Sequence, residues 1–262
     1  MDENDAYTIY TKEECENPIF KNVDATYILT LDKSNRINNI EEYIYKLSKK
    51  TFVQVNKGFR ECRKKNVDTT CKDILHACKN IFYHARQFKN ILVLEDDAVF
   101  IESKPESDLK CIDNFIGKRE FNVYSLGSLG FTLPETLLHQ RFIGFIGFAQ
   151  AMIYSKCIRE ELLKVDIKEI NHIDANFLSK KKLKFTYYKP LIVQYFENTE
   201  NMNEWGISLK KNMLEKISTR LFITLIQKVL KLENSLYGWY IFYIINSTPF
   251  LSLLYLIYLT YS

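Results

Sequence analysis

Three carboxylates in a row, Glu95, Asp96 and Asp97, follow four unbroken apolar residues, Ile91 to Leu94. The full stretch runs Asn-Ile-Leu-Val-Leu-Glu-Asp-Asp-Ala-Val-Phe from Asn90 to Phe100. A short continuous apolar run reads as a strand buried on both faces, the kind found at the centre of an α/β sheet. The acids then fall at its carboxyl end, where ligands bind in open α/β sheets. Side chains alternate along a strand, so Glu95 and Asp97 are expected on one side and Asp96 on the other. Adjacent carboxylates repel one another, and a bound cation offsets that cost. Two oxygen ligands on one edge, with room for substrate phosphates, suit Mg²⁺ or Mn²⁺. The competing assignment is one carboxylate capping the next helix and two in solvent; the apolar strand before them favours the metal.

The elements that must position this edge come from the flanking sequence. Tyr7 to Tyr10 reads as a short strand in a polar lead-in, and Ala25 to Leu31 as the first core strand. A turn follows through Arg36. Ile40, Tyr43, Ile44 and Leu47 recur at helical spacing, and Thr51 to Val55 suggests a second strand. Asp73 to Phe88 predicts a helix whose apolar stripe is Leu75, Cys78, Phe82 and Ala85. Beyond the acids, strands are expected at Phe121 to Leu126, within Phe142 to Tyr154, at Leu183 to Tyr188 and at Leu191 to Tyr195, with a helix over Ser155 to Lys164. This alternation implies one α/β domain over residues 1 to 205.

The character changes past Asn203. Met213, Ile217, Leu221, Leu225 and Val229 lie four apart, with Lys and Arg on the other face, so residues 206 to 233 read as a basic amphipathic helix. Residues 234 to 262 carry no charge and are rich in Tyr, Phe, Leu and Ile. That run exceeds the roughly 20 residues needed to cross a hydrocarbon core. A membrane-associating tail with the domain on the cytoplasmic side is expected, against a buried helical hairpin or a dimer interface.

The net charge of +4 is small, with Lys and Arg scattered among acids over the α/β domain, and nothing resembles the basic stripe of a nucleic-acid binder. Six cysteines without a Cys-x-x-Cys pair argue against a disulfide framework and for a reducing compartment. Cys71, His76 and Cys78 lack a fourth ligand and zinc spacing, so thiols on a helix face are expected. The polar start, Met1 to Asp5, does not resemble a secretory signal.

Four stretches, in this order, resemble glycosyltransferase family 25, the group of bacterial lipooligosaccharide and procollagen galactosyltransferases. They are Tyr27 to Arg36 (Tyr-Ile-Leu-Thr-Leu-Asp-Lys-Ser-Asn-Arg), Ile74-Leu75-His76, the acidic Ile91 to Val99, and the run from Ile143 to Tyr154 with Asp174 and Lys189 to Gln194 after it. The likeness spans roughly residues 24 to 200. Leu75 stands where the family usually has Ser, and the loop before Arg36 is a residue short. The resemblance implies a GT-A-type, Rossmann-like domain that binds a nucleotide-sugar, UDP-galactose or UDP-glucose, with Mn²⁺ or Mg²⁺ on the diphosphate. It implies Asp97 as metal ligand, Glu95 contacting metal or ribose, and Asp96 as a further substrate-binding residue. Thr30, Leu31 and Arg36 would border the nucleotide, Arg36 offering a bidentate phosphate contact. His76 would join the site or sit as a core histidine. Asp174 would be the general base for a hydroxyl of a glycan, lipid or protein acceptor, or else cap a helix over Ala175 to Lys180. A degenerate domain acting as a membrane-attached binding module is a second possibility. A Mg²⁺ phosphatase is a third, disfavoured because Glu95 stands where that chemistry wants Asp.

Overall fold

The structure is a computed structural model, which describes residues 6–101, 105–147 and 149–194. Both tail segments, 206–233 and 234–262, and the end of the 1–205 domain lie outside the described residues. The chain begins with β1 (Tyr7–Glu14), β2 (Ala25–Leu31), β3 (Lys50–Asn56) and α1 (Thr70–His84). Then come β4 (Asn90–Glu95), β5 (Ala98–Phe100), α2 (Glu106–Lys118), β6 (Val123–Ser125) and the hairpin β7 (Leu129–Pro134) and β8 (His139–Gly147). It continues through β9 (Ala151–Ser155), α3 (Lys156–Lys164), β10 (Lys184–Tyr187) and β11 (Ile192–Gln194).

Nine strands make one sheet in the order β1-β3-β2-β4-β9-β6-β10-β8-β7, and β5 pairs with β11 in a separate two-stranded ladder. β3, β2 and β4 run parallel, with Leu29 opposite Glu95. β9 runs antiparallel between β4 and β6. The sheet is therefore mixed, with a parallel part that places the ends of β2, β3 and β4 on one edge.

β4 is covered on both faces, as its unalternating sequence requires. Leu92 and Leu94 pack with Leu109, Ile112 and Phe115 of α2. Ile91 and Val93 pack with Leu75, Cys78 and Phe82 of α1 and with Ile158 and Leu162 of α3. The result is three layers, the sheet lying between α2 and the α1–α3 pair. Truncating a side chain here, such as Leu94→Ala, would cost about 2–5 kcal/mol.

α1 starts where Thr69 accepts the Lys72 N–H at 3.3 Å, and it ends at a cap supplied from outside. Arg159 of α3 is 1% exposed. Its guanidinium donates to the carbonyls of Ala85 (2.7 Å), Phe88 (2.5 Å) and Lys89 (3.2 Å). The first of these belongs to the C-cap residue of α1, and the other two to the turn that leads into β4. The helix ends at His84, before the expected Phe88, and the chain tightens into a turn in which Phe88 N donates to Ala85 O at 3.0 Å.

The structure departs from the sequence reading in three other places. Residues 40–47 do not form an α-helix: 3₁₀ turns occupy Arg36–Asn39 and Glu42–Lys46. Ile44 and Leu47 alone of the four spaced positions are buried, so the stretch lacks the packed face that stabilises a short helix. The run from Phe142 to Tyr154 is two strands, and Gly144 within β8 takes φ +64°, a left-handed conformation that glycine adopts without strain. Finally, α2 and β7 form where no element was expected, α2 on the apolar positions Leu109, Ile112, Phe115 and Ile116. All six cysteines are free, and burial raises the Cys78 thiol to about 12, as suits a core position on α1.

Candidate active site

A cavity of about 490 Å³ opens at the edge where β2, β3 and β4 end. Its floor is the acidic run: Glu95 closes β4, and Asp96 and Asp97 form the turn into β5. All three face this one cavity, because the strand ends at Glu95 and alternation no longer divides the residues after it. The turn is held at its backbone, where Glu95 N donates to Gln150 O at 2.9 Å and Asp96 N to Leu29 O at 3.0 Å.

Asp96 is clamped rather than presented. Its carboxylate accepts from Thr30 Oγ1 at 2.7 Å, Ser34 Oγ at 2.8 Å and Arg36 at 3.4 Å. Arg36 also lies 3.9 Å from Asp97, which is 5% exposed. Glu95 is pushed well above the usual carboxylate range, first by burial, then by the charges of Asp97, Asp96 and Asp174, with Arg36 a partial offset. The site thus concentrates negative charge that the protein's own cations only partly balance. Among the described residues no group of three or more side chains is arranged to hold a metal by itself. The donor set, hard carboxylate oxygens of Glu95 and Asp97, still fits Mg²⁺ or Mn²⁺, which commonly take one or two carboxylates and complete their shell from substrate phosphates and water.

The wall beside this floor comes from Lys33, Ser34 and Arg36 after β2, and from Gly58, Phe59, Arg60 and Glu61 after β3. Lys33 and Glu61 pair across this wall at 2.5 Å. The second loop is fixed from beneath. Lys64, 3% exposed, donates to Asn56 Oδ1 at 2.5 Å and to the Asp73 carboxylate, and its ammonium lies 4.7 Å from the centre of the Tyr7 ring. The other Asp73 oxygen accepts the Phe59 N–H at 3.0 Å. A buried ion pair thus ties the loop to the first turn of α1.

Thr30, Leu31, Arg36, Glu95, Asp96 and Asp97 are brought together around the cavity. His76 does not line it: its Nδ1 meets the Tyr7 hydroxyl at 2.5 Å, with the two rings stacked. Asp174 lies outside the lining but near enough to raise both Glu95 and Tyr154. It does not cap an α-helix; Ile173–Phe177 is a single wide π-type turn with His172 at its start, and Asp174 Oδ1 accepts the Ala175 N–H at 2.7 Å. His172 has its backbone N–H on Asn176. The sequence reading missed Lys33, Ser34, Phe59, Arg60 and the Lys64–Asp73 pair. Ser34 and Lys33 had a signal, since they sit in the same turn as Arg36.

No protein-family model and no curated protein matches the chain. Among solved structures, A197 from STIV aligns with a TM-score of 0.36 and 12% identity over 63% of this chain and 81% of that one. UDP-glucose pyrophosphorylase complexed with UDP-glucose aligns at 0.38 and 13%, over 66% and 74%. A glycosyltransferase involved in the glycosylation of the major capsid of PBCV-1 aligns at 0.32 and 10%, over 53% and 63%. Likenesses at TM-scores this low carry no argument about activity.

Proposed function

We propose that this chain is a metal-dependent glycosyltransferase, moving a hexose from a nucleotide-sugar such as UDP-galactose or UDP-glucose to an acceptor hydroxyl. The observation that carries the reading is the charge layout of one cavity: Glu95 and Asp97 on its floor, Lys33, Arg36 and Arg60 on its wall. A ligand that suits both must bring anionic oxygens to the wall and share a cation with the floor, which a sugar diphosphate does.

Asp97 and Glu95 would hold Mn²⁺ or Mg²⁺ together with diphosphate oxygens. When bound, that ion supplies neutralisation of the charge developing on the leaving diphosphate. Arg36, which lies 3.9 Å from Asp97, and Lys33 would act on the same charge. Asp96 works by position: with Thr30, Ser34 and Arg36 on its oxygens, it fixes the turn that carries Asp97. Asp174 would take the proton of the acceptor hydroxyl as general base. The glycan, lipid or protein acceptor enters from the Asp174 side in this scheme, and the 206–262 tail would hold the domain at the cytoplasmic face of a membrane.

The test is a screen of UDP-sugar turnover with and without Mn²⁺, joined to thermal melts with UDP. Mn²⁺ and UDP together should raise the melting temperature, by roughly 2.7 kcal/mol of stabilisation at a hundredfold excess over Kd. Asp97→Ala should abolish both turnover and the Mn²⁺-dependent part of that shift. UDP binding of unchanged affinity without metal would sink the assignment.

A further inference from the structure

The β7–β8 hairpin at the far end of the sheet exposes apolar side chains that its fold does not use. Phe131 and Ile143 face each other across the two strands and are 57% and 47% exposed, and Phe145, past the Gly144 bend, is 52% exposed. At the hairpin tip Leu137 is 98% exposed. Single exposed apolar residues are ordinary, but a cluster on one strand pair marks an interaction surface.

Cations flank it. Arg141, two residues from Ile143 on the same face of β8, is exposed, and its Nε donates to Lys182 O at 3.3 Å. Lys180 and Lys182 are exposed on the adjoining loop, and both segments line one shallow groove with Leu133 and Ile143. Among the described residues, the acids beside this groove are engaged, Glu135 with Arg119 and Glu161 with Lys181. The basic loop and the apolar strand are held together from inside: buried Lys184 donates to Gly144 O at 2.5 Å and to Ser179 O at 2.6 Å.

We infer that this face is a docking surface for an anionic lipid bilayer, Phe131, Ile143 and Phe145 entering the interface while Arg141, Lys180 and Lys182 meet lipid headgroups. Aromatic and aliphatic side chains ringed by Lys and Arg are what an anionic interface binds. A second copy fits less well, because a two-fold contact sets the same cations against themselves. The surface is tied to the Asp174 loop, since Ser179 Oγ accepts the Ile146 N–H at 3.0 Å and donates to Asp174 O at 2.9 Å. On the transferase reading, the acceptor is then one carried in the same bilayer; vesicle binding does not rest on that reading, so the two can fail separately.

The experiment is sedimentation of the full chain with phosphatidylcholine vesicles, pure or with phosphatidylglycerol added. Partition should be at least tenfold stronger on the anionic vesicles. Arg141→Gln/Lys180→Gln/Lys182→Gln should weaken it by roughly fivefold for each cation removed, and Phe131→Ser/Ile143→Ser at least tenfold, with melting temperatures checked for both. Hydrogen exchange over residues 135–138 and 179–182 gives a local readout independent of the tail, and it should slow on anionic vesicles. Unchanged exchange there overturns the proposal, as does a charge variant within twofold of wild type. A dimer that Phe131→Ser/Ile143→Ser dissociates, without vesicle binding, assigns the face to a second copy instead.

Discussion

Thr30 Oγ1 and Asp96 Oδ2 are joined at 2.7 Å across the β2–β4 pair, a contact set by the register of the parallel sheet. Leu29 lies opposite Glu95, so one residue further on Thr30 falls beside Asp96. Thr30→Val keeps the shape and removes the donor. A hydrogen bond to a charged, mostly buried acceptor contributes about 2 kcal/mol, so the melting temperature should fall roughly 4–8 °C. Ser34 and Arg36 still hold Asp96, and the fold should survive. A fall of less than a degree would show that the clamp is not formed.

Asp174→Asn tests the base. Asparagine keeps the acceptor oxygen that takes the Ala175 N–H, so the wide turn should persist. It cannot accept a proton, so turnover should drop about 10²–10⁴-fold while the Kd for UDP stays within about twofold. Near-wild-type turnover would move the search to another acid; Glu197 lies outside the described residues, and Asp166 uses its carboxylate to cap a short 3₁₀ turn at Lys168.

The parts legible in the sequence are those where one strand or helix decides its own environment. Ala25–Leu31 forms as its β-branched and aromatic residues require, and Ile91 to Leu94 is buried on both faces because both faces are apolar. Thr30, Arg36 and the three acids could be grouped because strand ends share an edge. What could not be read depends on long-range pairing. Lys64 sits in a charged loop that looks solvent-exposed, and only the folded chain brings it onto Asp73 and Asn56. The same holds for Arg159, whose role as cap for α1 spans 74 residues of sequence. His76 has helical spacing compatible with either assignment, and the strand β1, remote in sequence, settles its partner as Tyr7.

The Lys64–Asp73 pair makes a double-mutant prediction. Lys64→Met leaves the Asp73 carboxylate buried without its cation, which should cost about 3–5 kcal/mol. Asp73 would keep the Phe59 N–H, so the double variant Lys64→Met/Asp73→Asn should recover part of the loss by removing the orphaned charge. Urea unfolding of the four species gives the coupling directly. Costs that simply add would show that the two groups do not interact. Because Phe59 and Arg60 ride on this anchor, Lys64→Met should also raise the Kd for UDP at temperatures where the variant remains folded.

A second buried group makes stability depend on pH. His139 is 7% exposed, stacks on Phe115 at 4.1 Å between ring centres, and shares a 2.7 Å hydrogen bond with the Tyr124 hydroxyl. Burial, then the nearby Arg119 cation, lowers its pKa from 6.5 to about 4. Between those values the unfolded chain binds a proton that the native protein does not, so stability rises with pH across that window. The contribution is complete above the unfolded value and is lost as the pH falls toward 4. From pH 7 to pH 5 this one group should remove about 2 kcal/mol of stability. Glu95, whose pKa is raised, works in the opposite direction, so the wild-type curve alone does not isolate the effect. His139→Gln does: the urea midpoint of the variant should fall less than that of the wild type over the same interval. Parallel losses in the two proteins would show that His139 does not titrate differently on folding.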